Sequence, residues 1–269
     1  MRISKFRLSM LLALLALVAA VIVRAAQAPQ PTGAAGTEEQ AQVDAKGLPA
    51  ATNLHISALP SQADIKTLLD PAAAAWNDAA PTRVLLNRTP RVYQTEPPFA
   101  GKIPGLAVRL LRAEGKLVAR LEWDDATKNA PEAPPRKTGE AGDPEKLYKR
   151  PTAETSEFAD AVAVMFPENW TGPDFPSLQM GEVKNPVRIF YWNASRGAEE
   201  MTAAGRTTTK SAGRPVAHRA EHSGEKWHVT LELPDQADGT PVAFAVWDGA
   251  SNDRDGLKFF SIWYVVVAK

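Results

Sequence analysis

Cysteine is absent from the 269-residue sequence. Its absence excludes disulfides, thiolate metal sites, cysteine-bound iron–sulfur clusters and covalent attachment of a c-type haem. Positive and negative charges are balanced, since the sequence has 31 basic and 31 acidic residues. No run of like charge occurs. We therefore expect neither a nucleic-acid partner nor attraction to an anionic membrane surface. Any cofactor must be held by side chains other than cysteine.

Familiar catalytic motifs are missing as well. The sequence has no Gly-rich phosphate loop, no nucleophile elbow and no His-Glu-x-x-His zinc helix. His218 and His222 are four residues apart, but Pro215 and Gly224 bracket them in a predicted loop, so we interpret both as solvated histidines. The acidic pair at 124 and 125 could bind a cation, although such a pair more often closes a strand in a turn.

The N-terminus has the pattern of a secretory signal. Arg2, Lys5 and Arg7 precede an apolar run of 16 residues from 8 to 23. A membrane-spanning helix needs about 20 apolar residues, so a permanent anchor is the weaker interpretation. We predict a signal peptide over residues 1–28, with a retained membrane anchor as the alternative.

Three polar stretches divide the rest of the chain. Residues 29–50 are rich in Ala, Gly, Gln and Pro without an apolar period, which predicts a flexible linker. Residues 128–156 and 197–226 are predicted to be long surface loops. Residues 51–269 are therefore interpreted as one domain.

Period-two segments between these stretches predict strands. Residues 106–110 and 117–123 alternate around a turn and form a predicted β-hairpin. Five further segments have strand length and β-branched or aromatic enrichment, and these are residues 159–166, 187–192, 227–233, 242–247 and 259–267. Faces that are apolar on one side only predict an all-β fold, an antiparallel β-sandwich. Helix is predicted only for residues 62–69 and 72–76.

Two residues precede predicted strands in irregular segments. Met180 lies in PSLQMGEVKNPVRIFYW, and taken alone it is most simply a gap-filling core residue. Lys258 follows the acidic turn of WDGASNDRDGLKFF, and taken alone it is a solvated charge at a strand edge. Neither residue suggests a ligand by itself.

Four ordered segments nevertheless resemble a known family. The segments VRLLRAEGKLVARLEWDD, FADAVAVMFP, QMGEVKNPVRIFYW and VAFAVWDGASNDRDGLKFFSIWY are similar to the ethylbenzene-dehydrogenase-type haem-binding domain. In that family the domain is the gamma subunit of exported molybdenum enzymes, which include ethylbenzene and dimethylsulfide dehydrogenases, selenate and chlorate reductases and relatives in nitrite oxidoreductases. The resemblance runs from about residue 106 to the C-terminus.

The resemblance implies a β-sandwich that holds one non-covalent haem b. The family's methionine and lysine iron ligands fall on Met180 and Lys258, with His222 as the alternative to the lysine. Deprotonating a lysine of ordinary pKa at pH 7 costs roughly 4 to 5 kcal/mol, which the iron bond and a dry pocket must offset. Four aromatic residues could wall the pocket or belong to the ordinary sandwich core, and they are Phe166, Trp192, Trp247 and Tyr264.

The function implied by the resemblance is electron transfer without catalysis. The expected partners are an iron–sulfur beta subunit, a molybdopterin alpha subunit and a soluble cytochrome c or similar carrier, in a bacterial periplasm. A free-standing b-type cytochrome is one alternative. A carbohydrate-binding module is another, in which Trp170 or Trp76 would stack on a sugar ring.

Overall fold

The computed structural model describes residues 54–89, 102–132, 158–172, 174–253 and 255–269. All of them fall in the compact unit Gly47–Lys269. The predicted signal peptide, the predicted linker and most of the predicted loop over residues 128–156 lie outside the described residues. Within the described ranges, no helix is long and apolar enough to cross a membrane.

Strands are the main regular structure of the described chain. Short helices are few, namely α1 (Ile65–Leu68) and the 3-10 helices Ala74–Asp78 and Gly249–Ser251. The strands of the 14-stranded sheet are β1 (His55–Pro60), β2 (Thr82–Leu85), β3 (Asn87–Arg88), β4 (Gly105–Ala113), β5 (Lys116–Asp124), β6 (Ala161–Pro167), β7 (Val187–Asn193), β8 (Gly197–Ala203), β9 (Lys210–Pro215), β10 (His218–His222), β11 (Lys226–Pro234), β12 (Pro241–Trp247), β13 (Phe259–Phe260) and β14 (Tyr264–Ala268).

The sheet confirms the predicted all-β class and differs in one respect from the predicted antiparallel pairing. Its main path runs β10-β11-β5-β4-β1-β14-β12-β6-β7-β8-β9. Strand β1 pairs in parallel with both β4 and β14, so the sheet is mixed. Strand β12 joins the two halves of the path, since Pro241 and Val242 pair with β14 while residues 243–247 pair with β6.

The two halves of this path face each other across one hydrophobic core. Trp123 and Trp227 are stacked neighbours on β5 and β11 in one half. Trp192 on β7 in the other half meets them edge-on, with ring centroids 6.3 and 4.9 Å away. The core contains buried side chains of both halves, as a sandwich requires.

Strands β6 and β12 depart from the expected pattern because both of their faces are buried. On β6, Val162 and Val164 enter the core between the halves, whereas Ala161 and Ala163 belong to a second buried cluster on the opposite face. Since successive side chains of a strand point to opposite faces, something must cover this outer face. The segments that carry Met180 and Lys258 pack over part of this face.

The predicted helices are present in shortened form and pack on the outside of the β4–β5 hairpin. The Asp64 carboxylate caps α1 by accepting a hydrogen bond of 2.6 Å from the Thr67 N–H. Trp76 is only 1% exposed, and its indole N–H donates to the carbonyls of Leu68 and Asp70. Trp76 is therefore a core residue, and the suggestion that it stacks on a sugar is wrong.

The prediction of a surface loop over residues 197–226 is wrong, because this stretch forms β8, β9 and β10. Strands β9 and β10 lie at the two ends of the sheet path, and most of their residues are exposed. An edge strand with both faces in solvent needs no apolar alternation, so the pattern gave no signal. His218 and His222 therefore lie on a strand rather than in a loop.

A buried carboxylate ties β7, β8 and β9 together. The Glu200 side chain is 6% exposed and accepts hydrogen bonds of 2.7 Å from Arg188 on β7 and of 2.7 and 2.8 Å from Arg214 on β9. Hydrogen bonds from Arg214 lower the pKa of Glu200 to about 2, with burial acting in the opposite direction. The charged form of Glu200 therefore stabilises the fold.

We expect Glu200→Gln to lower the free energy of unfolding at pH 7 by about 1 to 3 kcal/mol. The loss is limited to this size because Arg214 is largely exposed and solvent weakens the ion pair. A lowered folded-state pKa contributes stability that is present above the ordinary value of 4.5 and is lost as the pH falls towards about 2. Urea unfolding of both proteins between pH 7 and pH 3 should therefore show converging stabilities. A constant difference would contradict the ion-pair account, and the exposed Glu221→Gln is the control.

Candidate functional site

A cavity lies over the outer face of β6, β7 and β12. It encloses about 390 Å³ of empty space, and this volume includes space that is open to solvent. Its lining is almost wholly apolar and comprises Ala163, Met165, Leu178, Met180, Ile189, Ala243, Phe244, Ala245, Trp247, Lys258, Phe260 and Ser261.

The floor of the cavity is made of small side chains. Ala163 on β6 is directly paired with Ala245 on β12, and Ala243 lies two residues before Ala245 on the same face. Alanine ends at the β-carbon, so these residues leave a shallow, flat apolar space above the sheet. In the sequence, this floor corresponds to the alternation of alanine with larger apolar residues in AVAV and VAFAV, a pattern that by itself predicts only strands.

Met180 enters the cavity from a strained turn. Its φ of 72° is left-handed, which is unfavourable for a side chain of this kind and requires support from the surroundings. Gly181 follows with the same φ, and a β-carbon there would lie 2.8 Å from the Asn185 carbonyl oxygen. The glycine of the Met-Gly segment is therefore required both by its backbone angle and by close packing.

Hydrogen bonds hold the Met180 turn in this conformation. The Met180 carbonyl accepts from the Gly205 N–H at 2.9 Å, and the Gly181 N–H donates to the Ser177 carbonyl at 2.8 Å. The Glu182 carboxylate accepts from the Ser177 N–H at 2.7 Å and from the Asn185 side-chain amide at 2.8 Å. The strain at Met180 is therefore maintained by a closed local network.

Lys258 is fixed through its backbone. Its N–H donates to the Thr89 hydroxyl at 3.2 Å, and its carbonyl accepts from the Thr89 N–H at 2.9 Å and from the hydroxyl at 2.7 Å. The preceding turn is held by a bidentate pair between the Arg88 guanidinium and the buried Asp253 carboxylate. Strands β3 and β13 thus deliver the lysine to the cavity at a defined position.

The structure brings Met180 and Lys258 together, although they are 78 residues apart in sequence. The Lys258 amino nitrogen lies 3.8 Å from the Met180 sulfur and 5.1 Å from the centre of the Trp247 ring. Among the described residues, no carboxylate forms an ion pair with Lys258. Burial lowers the pKa of Lys258 to about 8, while Asp255 acts in the opposite direction.

This environment favours a neutral amine as a metal ligand. Deprotonation at pH 7 costs about 1 to 2 kcal/mol from a pKa of about 8, well below the cost for an ordinary lysine. A thioether sulfur and a neutral amine nitrogen are both donors that a transition-metal ion accepts, so Met180 and Lys258 together could hold one.

The other predicted pocket residues lie elsewhere, with one exception. The ring of Trp247 is part of the cavity wall. Phe166, Trp192 and Tyr264 belong to the core between the halves of the sheet, as the ordinary-core interpretation had it. His222 hydrogen-bonds the Asp125 carbonyl at 2.9 Å and contacts Trp227, so the structure does not bring it to Met180.

Comparison with known proteins places this site in a family context. The sequence model described as ethylbenzene dehydrogenase matches residues 73–230, a range that includes Met180 and ends before Lys258. A respiratory nitrate reductase haem subunit from Haloferax mediterranei is 30% identical over 206 residues, which cover 72% of this chain and 66% of that protein.

Two further relatives are named as gamma subunits. Chlorate reductase subunit gamma from Ideonella dechloratans is 29% identical over 201 residues, covering 70% of this chain and 74% of the relative. Dimethylsulfide dehydrogenase subunit gamma from Rhodovulum sulfidophilum is 28% identical over 233 residues, with 77% of each chain covered.

We expect Gly181→Ala to destabilise the protein more than Gly115→Ala. Both glycines have a φ near 71°, but a β-carbon at Gly115 meets nothing within 4 Å, whereas at Gly181 it would clash with backbone. Gly115→Ala should cost about 1 kcal/mol from backbone strain alone, and Gly181→Ala clearly more. Thermal unfolding of the two variants measures this difference, and equal losses would show that the packing at Gly181 is not restrictive.

Proposed function

Because this chain belongs to the ethylbenzene dehydrogenase family, we propose that it binds one haem b non-covalently and is the electron-transfer (gamma) subunit of a molybdenum oxidoreductase. It relays electrons between an iron–sulfur beta subunit and an external carrier such as a soluble cytochrome c. Substrate chemistry takes place on a molybdopterin alpha subunit, so this chain is not itself catalytic. The names of the related gamma subunits support this role.

The observation that carries the proposal is the meeting of a thioether and an amine in an apolar cavity. Met180 sulfur and Lys258 nitrogen converge to 3.8 Å from two separately braced turns. A lysine buried beside a methionine, without a carboxylate partner among the described residues, is unfavourable for stability alone. Met180 and Lys258 would hold the iron of a bound haem, which accounts for this arrangement.

The residues of the cavity have separate tasks in this proposal. The small side chains of the β6 and β12 alanines would lie under a bound haem, and Trp247 and Phe260 would help to exclude water from it. A haem held by Met180 and Lys258 would supply reversible one-electron exchange, and its iron would have no open position for substrate. The Met180 thioether would favour the ferrous state and so raise the potential.

We also propose that the protein acts in the periplasm, on the basis of the predicted signal peptide over residues 1–28. Because the chain has no cysteine, it cannot attach a c-type haem covalently after export. A haem held only by Met180 and Lys258 agrees with this. If the leader were retained, it would tether the subunit to the membrane.

The ligands are tested by absorption and electron paramagnetic resonance spectra of the haem-loaded protein. Met180→Leu keeps the side-chain volume but removes the sulfur, and Lys258→Ala removes the amine. Each change should abolish the low-spin, six-coordinate spectrum of the wild type. An unchanged spectrum in either variant would refute that residue as a ligand.

Matched controls separate ligation from general damage to the site. Met201→Ala removes a methionine that packs in the same outer-face cluster without lining the cavity, and Lys184→Ala removes an exposed lysine four residues after Met180. Both control variants should keep the wild-type spectrum. A purified protein that lacks a Soret band and binds glycans would instead support the carbohydrate-binding alternative.

The role as a subunit is tested by purification from the native organism. A tagged chain should bring two larger subunits with it, one containing molybdopterin and one containing iron–sulfur clusters. Recovery of the haem-loaded chain alone, at native expression levels, would favour a free-standing b-type cytochrome.

A further inference from the structure

A second group of polar residues lies at one end of the sandwich, away from the Met180–Lys258 pair. Asp125 follows β5, Asp160 precedes β6, and Asp248 follows β12. One carboxylate oxygen of each lies within 4.8 Å of the others. Asp125 is 8% exposed and Asp160 is fully buried.

The buried carboxylates of this cluster have no ion-pair partner in the described part of the chain. The Arg88 guanidinium is paired with Asp253 instead. Burial raises the pKa of Asp160 to about 6 and also raises the pKa of Asp125, and mutual repulsion within the cluster adds to both. Three crowded acidic groups without compensation require a bound counter-charge or a shared proton.

Hydrogen bonds orient the Asp160 and Asp248 carboxylates but provide no counter-charge for the cluster. Asp160 accepts from the N–H groups of Asn129 and Gly249 at 2.6 and 2.9 Å and from the Trp227 indole at 3.0 Å. Asp248 accepts from the Ser251 N–H at 3.2 Å and from its hydroxyl at 2.6 Å. These contacts fix the positions of two carboxylates from the outside.

Asp125 differs because one of its carboxylate oxygens has no hydrogen-bond partner. Its Oδ1 accepts from the Thr127 N–H and hydroxyl at 3.1 and 3.3 Å, whereas its Oδ2 is buried and has no hydrogen-bond partner. The Trp123 indole is near enough to lower the pKa of Asp125, but its N–H also forms no hydrogen bond. A buried carboxylate oxygen with a free lone pair, beside two other carboxylates, is a preformed ligand for a cation.

We propose that Asp125, Asp160 and Asp248 bind a divalent cation of the Ca²⁺ type, which links the two halves of the sandwich. All donors are carboxylate oxygens, and hard cations such as Ca²⁺ prefer these donors more strongly than transition metals do. Calcium–oxygen bonds of about 2.3 to 2.6 Å place two ligand oxygens at most roughly 5 Å apart, in agreement with the spacing of the cluster. The site is independent of the proposed haem function.

The position of the cluster gives the ion a structural task. Asp125 belongs to the half that contains β5, and Asp160 and Asp248 belong to the half that contains β6 and β12. Gly249 permits the close approach of these segments, because a β-carbon there would lie 2.0 Å from the Phe158 carbonyl oxygen. A cation bound here would cross-link both halves and anchor the start of the turn that ends at Lys258.

Terbium binding to the full-length protein tests this site, since Tb³⁺ takes the same oxygen ligands and the Trp227 indole that bonds Asp160 can sensitise its emission. We expect saturable emission with one Tb³⁺ per chain, displaced by Ca²⁺ more readily than by Mg²⁺. Calcium should also raise the melting temperature by several degrees relative to EDTA. Absence of both effects in the wild type would overturn the proposal and leave a shared proton as the counter-charge.

Substitutions assign the binding to these residues. Asp125→Asn should weaken Tb³⁺ and Ca²⁺ binding at least tenfold, and the more accessible Asp248→Asn provides the same test if the first variant fails to fold. Asp124→Asn is the matched control, because it removes the neighbouring charge on an exposed side chain outside the cluster and should change the affinity less than twofold. Wild-type affinity in Asp125→Asn or Asp248→Asn, or a loss in Asp124→Asn as large as in these variants, would overturn the assignment.

Discussion

Burial of both faces of β6 and β12 is the constraint on which the rest of the structure depends. Their inner faces supply Val162, Val164 and Phe244 to the core that holds the two halves of the sheet together. Their outer faces carry small residues such as Ala163 and Ala245, and a strand with such a face must be covered by other segments. The turns that carry Met180 and Lys258 provide this cover, so the cavity is part of the packing of the fold.

The two covering turns reach the cavity by different means. The Met180 turn is held by its own hydrogen bonds around Glu182, and it stabilises a left-handed backbone at a residue other than glycine. The Lys258 turn is held from a distance by Thr89 and by the pairing of Arg88 with Asp253. Both arrangements place a polar atom in an apolar space at a fixed position, as a cofactor site requires.

Strand β12 connects this cavity with the acidic end of the sandwich. Trp247 is its last residue and faces the cavity, and Asp248 follows at once and faces the carboxylate cluster. The same turn then runs through Asp253 to Lys258. The conformation of the connection that follows β12 therefore depends both on the charge balance of the carboxylate cluster and on the packing of the cavity.

The sequence by itself determined the all-β class and those strands that have a clear apolar face, because such a strand has a period of two that neighbouring residues already display. Two strands inside the sheet, β1 and β8, were not predicted. Only the tertiary structure decided that β9 and β10 are strands, since an exposed edge strand is stabilised by its neighbour and not by its own apolar residues. It also decided that Met180 meets Lys258 and that Asp125 meets Asp160, because contacts between residues far apart in sequence depend on how the sheet folds over itself.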